Sequence, residues 1–185
     1  NELENRLTRL EVSQLAHIAE VKCKTGLGTV IAETFGGIEI RDKAGAPGIG
    51  SLVKIDKSDH KVLTIYFNQL DTYACLTNPK LLIKINKIGN RLLNNLLTEV
   101  SVTNLLIQSR NFSDELNLYT PTLKKTLNIL DDSQQIFSMN MFGETLFTIL
   151  DEREHINLKP FLKSASLDRN IIISNIDDAG AKLVT

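Results

Sequence analysis

Lys61-Val62-Leu63-Thr64-Ile65-Tyr66-Phe67-Asn68-Gln69-Leu70-Asp71-Thr72-Tyr73-Ala74-Cys75 is the stretch on which the fold turns. Its apolar and β-branched residues alternate with polar ones, the pattern of a half-buried strand, and it closes in a short polar turn and a cysteine. Upstream, Leu52-Val53-Lys54-Ile55 precedes it across Asp56-Lys57-Ser58-Asp59-His60, so the two runs predict an antiparallel hairpin. Thr29-Val30-Ile31-Ala32 and Ile38-Glu39-Ile40 flank a turn holding Gly36-Gly37 and predict another, because glycine supplies the positive φ of a tight turn. Between the hairpins, Asp42 to Ser51 is rich in Gly, Pro and Ala and reads as a surface loop. Residues 29–75 therefore read as a small antiparallel meander.

Helices are expected on both sides of it. From Glu2 to about Lys22, Leu3, Leu7, Leu10, Leu15, Ile18 and Val21 fall at helical spacings, with most charges elsewhere on the wheel, and Thr25-Gly26 and Gly28 stop the run. This segment opens at Asn1 in full helical register and reads as the C-terminal part of a longer helix. Asn78-Pro79 has the form of a cap followed by the first helical position. Leu81, Ile85, Ile88, Leu92, Leu96 and Val100 then keep helical spacing despite Gly89; the competing reading is a strand at Leu82 to Ile88 with a helix only from Asn90. Val102 to Gln108 fits helix or strand, Asn111 to Pro121 is irregular, and Leu123 to Leu130 reads as a short helix. Ile136 to Met141 and Thr145 to Leu150 read as a hairpin, Leu158 to Leu162 and Asn170 to Ser174 as strands, and Lys182-Leu183-Val184 as a closing edge strand. The expected architecture is α+β: an N-terminal amphipathic helix packed on an antiparallel sheet, a central helix after the Cys75 strand, and a further α/β segment. Residues 1–100 form the main body, and 101–185 form a portion of the same domain or an appendage.

Composition narrows the function classes. At 42% apolar and 23% charged residues the chain is that of a folded globular protein, and a net charge of −1 offers no basic excess for nucleic acid or an anionic membrane. Apolar runs fall well short of the roughly 20 residues of a membrane-spanning helix. Two cysteines 52 positions apart exclude the usual zinc spacings and leave two readings open, a pair of buried thiols or one disulfide. A Cys23–Cys75 bridge would contribute on the order of 4 kcal/mol on the chain-entropy model.

No constellation carries chemistry. His17, His60 and His155 lack partners for a metal set or catalytic dyad, and Asp131-Asp132, Asp177-Asp178 and Glu152 with Glu154 read as turn and cap carboxylates. Gly45-Ala46-Pro47-Gly48-Ile49-Gly50 looks like a phosphate loop but leads into a strand, where a phosphate loop needs a helix. Lys80, Lys84, Lys87 and Arg91 share one face of the central helix, without interleaved aromatics to stack bases. No catalytic residue, metal ligand or cofactor is assigned, and the chain is read as not an enzyme.

Phe35-Gly36-Gly37-Ile38-Glu39-Ile40, followed by Leu63-Thr64-Ile65-Tyr66-Phe67-Asn68-Gln69-Leu70-Asp71-Thr72-Tyr73-Ala74-Cys75, resembles bacterial type IV pilins, particularly the type IVb subgroup. The resemblance covers about 40 residues. It implies a minor or pilin-like structural subunit of a pilus or secretion filament, whose partners are other pilin subunits or assembly proteins. It also implies a periplasmic or cell-surface location, with inner-membrane anchoring before assembly through an apolar helix absent here. Leu3, Leu7, Leu10, Leu15 and Ile18 would then form the assembly face, and Cys23–Cys75 would be a disulfide pinning helix to sheet. The alternative is a cytoplasmic scaffold domain of a secretion or pilus machine, docking through Lys80, Lys84, Lys87 and Arg91.

Overall fold

A computed structural model describes residues 7–26, 28–56, 59–69, 72–141 and 143–182. The chain forms two compact units, one of residues 1–57 with 176–185 and the other of residues 58–175. The helices on either side of residue 100 both belong to the second unit.

In the first unit, α1 (Arg9–Cys23) starts at a capping box: Thr8 Oγ1 accepts the Glu11 N–H at 3.2 Å, and Glu11 Oε2 accepts the Thr8 N–H at 2.7 Å. It ends on Lys24 in the left-handed region at φ 54°. Next comes α2 (Thr29–Phe35), where a strand was expected. The β-branched run Thr29-Val30-Ile31 is helical because its first turn is held from outside and because Ile31 and Thr34, three positions apart, bury one face. Gly36, at φ 60°, ends the helix. The strand β1 (Ile38–Lys43) then pairs antiparallel with β2 (Ser51–Ile55), Ile38 opposite Ile55 and Ile40 opposite Val53. The hairpin thus spans the Gly/Pro loop; neither the hairpin at Gly36-Gly37 nor the one from Ile55 to Val62 forms. Ile31, Ile38, Ile40 and Ile55 supply the buried apolar residues. The returning segment docks by its backbone: the Gly37 N–H donates to Asp177 O at 2.6 Å, and Arg9 Nη2 donates to Thr34 O and Ala179 O.

The second unit is built on β3 (Lys61–Gln69), the strand expected from the opening stretch. It lies inside a four-stranded antiparallel sheet of order β4-β5-β3-β6, with β4 (Ser138–Met139), β5 (Gly143–Leu150) and β6 (Ile171–Asn175). Leu63 faces Thr148 and Ile173, and Ile65 faces Leu146 and Ile171. Alternation is carried through: Leu63 and Ile65 are fully buried while Tyr66 is exposed. Residues 72–76 form a short helix, α3 (Thr72–Leu76), so Cys75 sits in a helix rather than at a strand end.

The central helix α4 (Pro79–Thr98) runs unbroken through Gly89, capped by Asn78, whose side chain accepts the Leu81 N–H at 3.2 Å. Ile85, Ile88 and Leu92 pack with Leu116 of α5 (Val102–Leu116). The sheet's buried face is covered by α6 (Pro121–Leu130) and α7 (Glu152–Ser164) through Leu123, Leu127, Leu130, Leu158 and Leu162. Helix α7 occupies Leu158 to Leu162, expected as strand. A capping box at Asp151 and Glu154 starts it eight residues before Pro160, which it tolerates inside.

The pilin-type arrangement is not what forms. Leu10, Leu15 and Ile18 on α1 are 41%, 54% and 47% exposed, and Glu20 is that helix's buried residue. Leu7 is half-buried just before the helix; Leu3 lies outside the described residues, as do Leu183 and Val184 of the expected closing strand.

Candidate functional site

The turn between α1 and α2 concentrates polar side chains. Glu20 Oε1 accepts the Thr29 N–H at 2.9 Å, while Glu20 Oε2 stands 3.3 Å from His17 Nδ1, with both side chains largely buried. The Thr25 N–H donates to the Glu20 carbonyl at 3.2 Å, closing the end of α1. Gly28 enters α2 at φ 153°, a conformation side chains disfavour, and the Arg41 guanidinium lies where its Cβ would project. Arg41 comes from β1, two positions from Glu39 and therefore on the same face of the strand. Burial pushes the Glu39 carboxyl up, against the opposing pull of Lys54 and Arg41. Its Oε2 is buried without a hydrogen-bond partner. The turn thus brings a guanidinium against the glycine backbone, and the same unit holds the Glu20 and Glu39 carboxylates.

The second unit has a cleft of about 340 Å³ between α4, α5 and the β4–β5 turn, lined by Leu92, Phe112, Asn140, Met141 and Gln108. The Gln108 Oε1 is buried there without a partner. Ser113 and Ser138 share a buried hydrogen bond at 3.1 Å that ties α5 to β4 beside it.

The sequence-derived candidates fall elsewhere. Cys23 is exposed at the end of α1 and Cys75 half-buried in α3; they form no disulfide. Lys84 Nζ donates to Leu116 O at 3.1 Å and Arg91 pairs with Glu115, so two of the four cations of the α4 face are taken up by α5, while Lys80 and Lys87 are exposed. The 44–50 loop joins β1 to β2, and its Pro47 carbonyl accepts from Gln14 Nε2 at 2.9 Å. Asp131 pairs with Arg110, Glu152 with Lys61, and Glu154 completes the α7 cap. Thr25-Gly26-Leu27-Gly28, read only as a helix stop, is the segment sequence reasoning missed. The signal lay in two glycines spaced by one residue ahead of an apolar run, obscured because that run looked like a strand.

No family model matches the chain. It is 35% identical over 166 residues to a pantoate kinase of Thermococcus kodakarensis, covering 89% of this chain and 55% of the relative. Against a pantoate kinase of Methanocaldococcus jannaschii it is 34% identical over 167 residues, covering 89% and 58%. The chain thus spans little more than half the length of these curated relatives. A solved phosphotransferase related to the CoA biosynthesis pathway superposes with a TM-score of 0.82 at 32% identity, over 95% of this chain and 57% of that one. Mevalonate diphosphate decarboxylase from Staphylococcus aureus (TM-score 0.67, 11% identity, 99% and 62% covered) and a mevalonate kinase (0.58, 14%, 95% and 59%) share the fold.

These likenesses overturn the pilin resemblance and what rested on it: a structural, non-enzymatic subunit, pilin partners, a periplasmic or surface location, and the scaffold alternative. A Phe-Gly-Gly turn and a strand before a helix are local features that unrelated folds share. No described helix is long and apolar enough to cross a membrane. The chain is similar in sequence to two pantoate kinases and in architecture to the GHMP kinase-like α+β domain, across little more than half of each relative.

Proposed function

We propose that the protein carrying this chain is a phosphotransferase that moves the terminal phosphoryl group of a nucleoside triphosphate onto a hydroxyl of pantoate. The supporting observation is the 34–35% identity to two pantoate kinases, sustained over 89% of the chain. In that reaction the substrate hydroxyl oxygen bonds to the terminal phosphorus, the bond from that phosphorus to the bridging oxygen breaks, and the hydroxyl proton leaves to water or a carboxylate. Catalysis of this step is largely positioning and charge stabilisation, which calls for cations and close-approaching backbone rather than a covalent nucleophile. Arg41 is the cation assigned to phosphate oxygens, and Gly28, lacking a side chain, leaves room for its guanidinium.

Magnesium accompanying the nucleotide is held through one or two carboxylates and the phosphates themselves, so a preassembled protein cage is not required. The described residues contain no group of three His, Cys, Asp or Glu set to hold a metal. They do fit the smaller demand: Glu39, with an oxygen lacking a hydrogen-bond partner, is the carboxylate assigned to this role.

The test is release of nucleoside diphosphate by the purified full-length protein with magnesium-ATP and pantoate, with phosphopantoate identified by mass spectrometry. Pantoate-dependent turnover is expected, with mevalonate and mevalonate diphosphate inert. Equal turnover with mevalonate, or none with pantoate, overturns the assignment.

A further inference from the structure

A groove of about 330 Å³ lies within the second unit between α7 and the edge strand β6. Its wall carries His155, Lys159 and Lys163, four residues apart on α7 and hence one stripe of that helix. Asp168, from the turn after α7, is the carboxylate on its rim, and the floor is apolar: Leu63, Leu162, Ile171 and Ile173.

Three observations set this groove apart from an ordinary solvated helix face. Among the described residues Lys159 and Lys163 have no ion-pair partner, although Lys61 and Arg110 of the same unit do. His155 Nδ1 is buried without a hydrogen-bond partner among the described residues, so the ring that lines the groove has an unused polar atom. Finally, Ile173 is 44% exposed on a strand whose outer edge is unpaired within its sheet. Donors thus outnumber acceptors along one side of an apolar floor, in a volume at the lower end of ligand pockets.

We propose that this groove binds a small amphiphilic organic anion. A carboxylate or phosphate group is held by Lys159 and Lys163 beside the His155 ring, and a short apolar body lies on Leu162, Ile171 and Ile173. No part of this assignment depends on the phosphotransferase reading, because every residue used belongs to the second unit and none to the glycine turn.

The experiment titrates the full-length protein with hexanoate and with hexyl phosphate, the two arms separating the carboxylate source from the phosphate source. Inorganic phosphate and hexanol serve as half-ligands. The readout is the side-chain NMR signal of His155, assigned by its loss in His155→Gln. A saturable shift with either amphiphile is expected, weakened about tenfold or more in Lys159→Gln/Lys163→Gln, as removal of charge-assisted hydrogen bonds implies. Ile173→Glu, at a partly exposed strand position, is expected to weaken it similarly and gives a second variant should the first misfold. Absence of a saturable shift with both amphiphiles, unchanged affinity in both variants, or binding of inorganic phosphate or hexanol as tight as that of the amphiphiles overturns the proposal.

Discussion

The Glu20 carboxylate accepts the Thr29 backbone N–H at 2.9 Å, so the first turn of α2 is capped by a side chain nine residues upstream on α1. Gly28, at the cap position itself, offers no side chain for the task. The short helix and the glycine turn before it are thereby tied to α1, and Glu20 also faces His17.

Removing that carboxylate should therefore be felt twice. Glu20→Ala leaves the Thr29 N–H without its acceptor and is expected to destabilise the protein by about 1–3 kcal/mol. Glu20→Gln keeps an acceptor and should lose less. Urea unfolding of both variants checks the ranking, with pantoate-dependent turnover expected to follow the same order.

Two glycines should respond oppositely to alanine. Gly28→Ala forces a side chain into a positive-φ position already covered by the Arg41 guanidinium, with an expected cost of about 1–3 kcal/mol and displacement of Arg41. At Gly89, inside α4, a Cβ would meet only Phe112 Cε2, at an ordinary 3.6 Å. Gly89→Ala is expected to raise stability by up to about 1 kcal/mol, because alanine loses less backbone freedom in a helix. Thermal denaturation of the pair distinguishes the two cases.

Glu39 is expected to trade stability for function. Burial raises its pKa in the folded protein, so its favourable contribution is complete below the unfolded value of about 4.3 and is lost as pH rises through the folded one. Glu39→Gln removes the cost of the buried charge. It should stabilise the protein at neutral pH, with the gain fading in acid, while lowering magnesium-dependent turnover. Unfolding curves at pH 4 and pH 7, with activity measured alongside, check both halves.

Tyr119 sets an alkaline limit. Burial, aided by donation of its hydroxyl to Asp114 Oδ1 at 2.6 Å, pushes the phenol pKa up. The unfolded chain then releases this proton first, so stability should fall as pH rises above about 10 and continue to fall until the folded phenol ionises. In Tyr119→Phe this alkaline loss should shrink. Denaturation midpoints between neutral and strongly alkaline pH measure the difference.

The two thiols should differ in reactivity. Exposed Cys23 is expected to react with a thiol reagent in the native protein, ahead of the half-buried Cys75, and both should react fully after unfolding without reductant. Finding no reactive thiol would restore the disulfide.

Local chemistry was enough to identify several elements. The Lys61 to Phe67 strand, Asn78-Pro79 opening a long helix, the Leu123 to Leu130 helix and the Thr145 to Leu150 strand are each written in periodicity and caps. Thr29 to Ala32 misled because β-branched residues favour strands, whereas its cap comes from Glu20, outside any local window. Leu158 to Leu162 misled through Pro160, although the Asp151–Glu154 capping box already starts a helix there.

Sequence by itself thus determined the period and the buried face of β3, α4, α6 and β5, where periodicity and capping act over a few residues and agree, but not of α1, whose leucines are exposed, nor the period of α2 and α7. Strand partners were a matter for tertiary structure: β3 lies between β5 and β6, drawn from nearly the far end of the chain, and β1 pairs with β2 across the Gly/Pro loop. The candidate site was likewise decided there. Gly28 and Arg41 are thirteen positions apart and carry no joint signal, and only the pairing of β1 with β2 and the packing of α1 with α2 bring the guanidinium over the glycine turn.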